Sequence, residues 1–261
     1  MVDFQSKSRY GWEDFLEIMR LLRAPGGCPW DAEQTHGSIR RNFLEETYEA
    51  LDAIDRDDPA GMCEELGDVL MQVAFHTQIE AERGRFTMDD VVDGVAQKLV
   101  YRHPHVFGTV EVADSQEVLV NWEALKRKEK SQTTTADAIE AVPHTLPALW
   151  RAEKIGSKTA KAGFDWKDVS PALDKLSEEL GEFRSAVREG SNVEEELGDL
   201  LFAAVKAGRF AGVDGERALE KACDKFARRF RRVEQLAPEP LDRLDVPALE
   251  ALWAQAKQEE T

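Results

Sequence analysis

One acidic pattern is written twice in this chain, and that duplication constrains the fold more than any other feature. Glu45-Glu46-x-x-Glu49 is followed by Glu65-x-x-Asp68, and Glu178-Glu179-x-x-Glu182 is followed by Glu196-x-x-Asp199. On a helix, residues three and four apart share one face. Glu46 with Glu49 and Glu65 with Asp68 therefore form carboxylate pairs, and packing the two helices together converges four acids. Such anions repel one another and resist burial unless a cation sits among them. The pattern reads as a magnesium site.

The repeat extends beyond the acids. Gly27-Cys28-Pro29-Trp30-Asp31 opens the first copy, and Gly163-Phe164-Asp165-Trp166 stands at the like place in the second. Leu66-Gly67-Asp68-Val69-Leu70 matches Leu197-Gly198-Asp199-Leu200-Leu201. A basic pair at spacing four follows each acidic set, Lys98 with Arg102 and Lys225 with Arg229, and a Trp-x3-Lys element closes each copy at Trp122 and Trp253. Glu46 to Glu179 is a shift of 133 residues, and Trp122 to Trp253 one of 131. A register held across several residue types marks the duplication of one domain.

Two domains of roughly 100–130 residues suit a chain of 261. The expected layout is a first domain over 1–130, a linker over 131–147 rich in Thr and Pro, and a second domain over 148–261. The formal charge of −17 argues against a protein that tracks a nucleic-acid polymer. It leaves room for a nucleotide, because a bound cation and a few Lys or Arg invert the field within one cleft. No stretch approaches 18 apolar residues and the first nine lack an apolar core, so a soluble, cytoplasmic protein without membrane partners is expected. Cys28, Cys63 and Cys223 are too far apart for a zinc site and read as reduced thiols.

Strand signals are nearly absent, and the fold class is all-α: two tandem, related helical bundles. Helical spacing runs from Asp14 to Arg23, then from a cap at Ser38 to the turn at Asp55–Asp58. Further helices are expected from Pro59 to Arg83, from a Thr87 cap to Arg102, and from Ser115 to Lys130. In the second copy, Ser170 caps a helix with Pro171 in its first turn. That helix turns Leu173, Leu176, Leu180, Phe183 and Val187 inward. Helices over Val193–Arg209 and Gly215–Leu236 follow, and Asp245 caps the last.

A single Glu-Glu-x-x-Glu is usually a solvated helix face. Here each acidic pair is embedded in apolar sequence, and the pattern recurs. Gly67 and Gly198 also interrupt helices at a cost of about 1 kcal/mol, which a close approach by a neighbour or ligand would explain. Di-iron bundles want Glu-x-x-His, but Asp holds that place in both copies. Oxygen-only ligation suits Mg²⁺, with Mn²⁺ as a substitute. Lys225 with Arg229, and Lys98 with Arg102, either reach phosphate oxygens or form surface ion pairs. Lys175 lies one turn before Glu179 and points to the same cleft, where the first copy has Asn42. Trp122 and Trp253 either stack on a base or fill core.

With these residues assembled, the chain resembles the two-domain MazG nucleoside triphosphate pyrophosphohydrolases of the all-α NTP pyrophosphatase superfamily. The motifs that carry the resemblance are Cys28-Pro29-Trp30-Asp31 with Gln34-Thr35-His36, the acidic sets, Arg102-His103-Pro104-His105-Val106-Phe107-Gly108, Asn121-Trp122-Glu123 and Gly163-Phe164-Asp165-Trp166. The resemblance implies hydrolysis of NTPs and dNTPs between the α and β phosphates, broad base specificity, a homodimer, and a second domain that carries most of the activity. It implies Mg²⁺ on Glu179, Glu182, Glu196 and Asp199, with substrate contacts from Lys175, Glu195, Lys225, Arg229 and Trp253. Glu178 would orient the attacking water. In the first copy Glu46, Glu49, Glu65 and Asp68 would be the ligands, and Lys98 and Arg102 the phosphate contacts. Two other readings remain: a related pyrophosphohydrolase for dUTP or phosphoribosyl-ATP, and a regulatory partner protein that binds nucleotide or another protein and catalyses little.

Overall fold

The computed structural model describes residues 2, 4–130 and 132–259. Met1, Ser131 and Thr261, where domain and linker bounds were expected, lie outside the described residues. The chain divides into two compact units, Met1–Leu125 and Lys126–Thr261. The described residues are helical with no strand. No helix among them is long and apolar enough to cross a membrane.

The first unit carries α1 (Trp12–Arg23), α2 (Pro29–Glu33), α3 (His36–Asp55), α4 (Pro59–Glu82), α5 (Met88–Arg102) and α6 (Pro104–Phe107). The boundary between the units falls inside α7 (Ser115–Glu129). Local chemistry sets the helix starts. Asp58 accepts the Ala60 and Gly61 amides, with Pro59 at the first position of α4. Thr87 and Asp90 form a reciprocal cap on α5. The cap of α3 is Thr35 rather than Ser38. The Thr35 hydroxyl accepts the Ser38 amide, and Ser38 Oγ accepts the Thr35 amide at 2.9 Å, so Ser38 is the returning half of a capping box.

The second unit carries α8 (Thr135–Glu140), α9 (Ala148–Lys161), α10 (Ser170–Glu189), α11 (Val193–Phe210), α12 (Gly215–Leu236), a 3-10 turn over Leu241–Arg243, and α13 (Val246–Glu259). The stretch expected as a linker therefore holds a helix. Thr134 caps α8, which packs on α9 and buries Ala138. Val169 rather than Ser170 occupies the N-cap of α10; the Asp168 carboxylate accepts the Ser170 amide at 2.9 Å. Asp245 accepts the Ala248 amide at the start of α13, as its sequence position suggests.

In each unit the closest helix pair is a hairpin, α3 with α4 and α10 with α11. Three residues make each turn, and each turn uses left-handed backbone: Asp57 at φ 52° in the first, Gly190 at 69° and Asn192 at 55° in the second. The first unit has a core of Met19, Ile39, Ala74, Phe75, Ile79 and Met88, drawn from α1, α3, α4 and α5. The buried residues of α10 and α11 are Ala172, Glu179, Ala186, Ala203, Val205 and Ala207, which let the helices approach but fill little volume.

The apolar face expected to turn inward on α10 does not do so. Leu173, Leu180 and Val187 are 49, 39 and 54 % exposed, while Leu176 and Phe183 are half-buried. Leu66 and Leu70 on α4, and Leu197, Leu201 and Phe202 on α11, are likewise exposed. The physical reason is a choice between faces. These hairpins close through their alanines and some of their acids, which leaves the large apolar side chains outward.

Candidate metal centres

Both hairpins bring carboxylates from two helices to one point. In the first, Glu46 and Glu49 of α3 meet Glu65 of α4; in the second, Glu179 of α10 meets Glu196 and Asp199 of α11. Each trio offers three oxygens that all lie within 4.8 Å of one another. Mg²⁺ binds oxygen at about 2.0–2.1 Å, so a modest inward movement of the side chains would close either trio on one ion. The donors are all oxygen, as a hard cation requires. In the first trio, Glu65 Oε2 is buried without a hydrogen-bond partner. An orphaned anionic oxygen of this kind fits a cation site.

The fourth acid of each expected quartet lies beside one member of its trio and does not join the converging set. Asp68 is half-buried beside Glu46, close enough to push that carboxyl up. Glu182 is exposed and hydrogen-bonded to Glu179. No neighbour among the described residues crowds Gly67 or Gly198, since a Cβ at either would meet nothing within 4 Å.

The two clusters differ in charge balance. Burial raises the Glu46 carboxyl first, and Asp68, Glu49 and Glu45 add to the shift. Burial likewise raises Glu65, reinforced by Glu49, Glu64, Asp68 and Glu46. In the second unit Lys175 Nζ lies 2.8 Å from Glu179 and 2.7 Å from Glu178. That ammonium holds Glu179 below the usual carboxylate range despite its burial. The hydrogen bond to Glu179, then burial, raises the Glu182 carboxyl above its ordinary range. Asn42, at the like place in the first unit, brings no charge, and Arg41 beside it pairs with Glu45 at 2.8 Å.

This doubled geometry accompanies a match to a family model, the MazG nucleotide pyrophosphohydrolase domain, over residues 34–107 and again over 168–233. The chain belongs to the MazG family. It is 45 % identical over 253 residues to a nucleoside triphosphate pyrophosphohydrolase of Escherichia coli K12, covering 94 % of this chain and 96 % of that one. It is 42 % identical over 249 residues to the nucleoside triphosphate pyrophosphohydrolase/pyrophosphatase MazG of Thermotoga maritima, covering 94 and 95 %. A nucleoside triphosphate pyrophosphohydrolase of Mycolicibacterium smegmatis is 37 % identical over 203 residues, covering 75 and 60 %.

The remaining residues singled out by sequence sit around these MazG domains as follows. Glu178 is exposed and held by Lys175, and Glu195 lies in the exposed first turn of α11. Lys225 lines a shallow hollow of about 380 Å³ on α12 with Lys221, Asp224 and Arg228. Arg229, one turn on, lines a second hollow with Arg228, Arg232 and Glu259. Trp253 packs against Phe226, with ring centroids 5.0 Å apart. Lys98 is exposed, whereas Arg102 is buried with its guanidinium 5.3 Å above the Trp122 ring.

Three features carry chemistry that the sequence did not announce. Arg228 borders both basic hollows, but it falls outside the spacing-four pair. Lys206 sits 3.9 Å above the Trp166 ring and 3.7 Å from Asp165, to which Arg209 also bonds. The Asp-Trp motif was visible; its partners 40 residues on were not. In the first MazG domain, His36, His76 and Glu80 form a hydrogen-bonded chain across the α3–α4 hairpin. No spacing rule links residues 36 and 76.

Proposed function

We propose that this chain hydrolyses nucleoside triphosphates, ribo and deoxy, between the α and β phosphates, releasing the monophosphate and pyrophosphate. The observation that carries the proposal is the trio of Glu179, Glu196 and Asp199, which converges from two helices beside Lys175. These three would hold Mg²⁺, or Mn²⁺ in its place, and Glu182 would keep Glu179 oriented. The ion, when bound, supplies charge neutralisation and a more acidic water. Lys175 has a second task, to balance Glu179 until substrate arrives and then to meet a phosphate oxygen. Lys225, Arg228 and Arg229 offer donors for charge that develops on the leaving pyrophosphate. Glu178 and Glu195 are exposed carboxylates next to ligands, suited to orienting water, and Trp253 offers an aromatic edge to the nucleoside. These contacts address phosphates common to every NTP, which supports broad base specificity and a role in clearing unwanted nucleotides.

A homodimer belongs to the same proposal. The outward leucines of α4, α10 and α11 supply an apolar surface suited to such an interface. A soluble, cytoplasmic setting with no nucleic-acid polymer and no membrane partner completes the reading, in line with the charge of −17.

The test is product analysis. The full chain incubated with Mg²⁺ and GTP should release GMP and pyrophosphate, and chelation should abolish release. GDP and inorganic phosphate as products would refute the proposal. A survey of NTPs and dNTPs then separates broad specificity from a dUTP-specific enzyme.

A further inference from the structure

One face of α4 carries Glu65, Asp68, Gln72, His76 and Glu80 at helical spacing, so a polar stripe runs from the first acidic trio to the far end of the hairpin. The shift of 131 residues puts Ala203, Ala207 and Ala211 of the second unit at the places of Gln72, His76 and Glu80. His36 of α3 corresponds, at a shift of 133, to Val169. Along this stripe the two units thus share their acids and differ in the polar residues that follow them.

The extra groups are tightly joined. His36 Nε2 lies 2.7 Å from Glu80 Oε1, and His36 Nδ1 lies 2.7 Å from His76 Nδ1. The imidazoles stack with centroids 5.0 Å apart, and Phe43 closes over His76 at 5.6 Å. Glu80 is buried and also faces Arg83 at 2.8 Å and Arg85 at 3.2 Å, from the end of α4 and the turn beyond. From α1, Arg23 is taken up by Glu82 and by the carbonyls of Asp31 and Gln34. On α3 itself, Arg40 lies one turn from His36 and is exposed.

An ionised carboxylate only accepts, so His36 carries its hydrogen on Nε2 and donates it to Glu80. The contact between the two Nδ1 atoms then has room for one hydrogen. Fully charging both rings would set two N–H groups head to head at 2.7 Å. A metal ion is a poorer occupant of that contact. Among the described residues no third ligand joins the two Nδ1 atoms, and Arg83 and Arg85 already supply positive charge.

We propose that His36, His76 and Glu80 form a one-proton clasp that makes the first acidic hairpin, and not the second, open in mild acid. The folded pair accepts one proton; the unfolded chain accepts two. Burial, and then the nearby His36, push the His76 imidazole below its ordinary 6.5. The sign follows. A base held neutral by folding contributes stability above its unfolded pKa, and that stability is lost as pH falls below it. Glu80 does not interfere in this window, since its carboxyl is held down at about 2, first by His36 and then by the two arginines. Because α3 carries Glu46 and Glu49 and α4 carries Glu65, release of the clasp loosens the frame of the first trio.

Hydrogen exchange of the full chain, followed by mass spectrometry and corrected for the chemical exchange rate, tests this directly. Opening of segments 36–50 and 70–82 should rise about tenfold per pH unit below 6.5, the slope of one proton. Segments 169–183 and 201–211 should stay flat, and His76→Gln should flatten the first pair as well. Equal loosening of both hairpins, or an unchanged slope in His76→Gln, overturns the proposal. Should the variant fail to fold, ¹⁵N titration of the imidazoles in the unaltered chain decides. Both rings fully charged at pH 5.5 in the folded protein would refute the clasp, and one proton shared between them would support it.

Discussion

The two acidic hairpins of this chain have the same turn length and each converges three carboxylates, yet they handle charge in opposite ways. In the second, Lys175 neutralises Glu179 and keeps it ionised. In the first, burial and then the neighbouring carboxylates raise Glu46 and Glu65, and Asn42 brings no charge to offset them. A folded acid with a raised pKa destabilises its fold as pH climbs through the ordinary carboxylate range, unless a cation enters. The comparison teaches that ligand geometry and readiness to bind are separable. In the first cluster the raised carboxyls have no Lys beside them, whereas in the second Lys175 keeps Glu179 ionised.

The largest expected effect tests which hairpin works. Asp199→Asn should lower pyrophosphate release by about 10²–10³-fold, the scale for losing one stabilising group at a reaction centre. Glu65→Gln, at the first trio, should change it less than threefold. Comparable losses from both would make the two units equal partners. Next comes the balancing cation. Lys175→Met should cost about tenfold, the scale of one lost charge-assisted hydrogen bond, with the loss greatest on the acid side because the ammonium that holds Glu179 ionised is gone; activity should recover in part at pH 8. The acid limb of the rate profile should therefore move to higher pH. Asn42→Lys is the mirror experiment: calorimetry in two buffers should find fewer protons released when Mg²⁺ enters the first site.

Smaller effects sharpen the contrast in stability. The contribution of Glu80 is present above pH 4.5 and lost as pH falls towards about 2. Glu80→Gln should therefore flatten that limb of the urea-midpoint profile for the first unit alone. The smallest effect concerns the caps. Thr35→Ala should cost about 1 kcal/mol of unfolding free energy in urea titrations, while Val169→Ala, at a cap with no side-chain bond, should cost less.

Much of this was legible in the sequence because the repeat supplied its own control. Helix limits fell within a few residues of expectation, since Thr87, Asp58 and Asp245 act through local bonds that short spacing encodes. Convergence of the acids was legible for the same reason: a three-residue turn fixes which residues face each other. The outward turn of Leu173, Leu180 and Val187 was not, because periodicity identifies a face without naming what covers it. Nor was the exclusion of Glu182 and Asp68 from the trios, which depends on a few ångströms of side-chain placement. The His36–His76 contact and the Asp165–Arg209 pair join residues 40 and 44 apart, and no pattern within one helix reports such a contact.

The three-residue turns at Arg56–Asp58 and Gly190–Asn192 carry a consequence for inheritance. Every acid of either trio lies within about twenty residues of the others, so copying one short stretch of gene copies an entire carboxylate cradle. The same brevity makes the cradle brittle. One extra residue in the first turn of either returning helix would rotate the side chains beyond it by about 100° and swing its carboxylates away, while every acid in the sequence stayed in place.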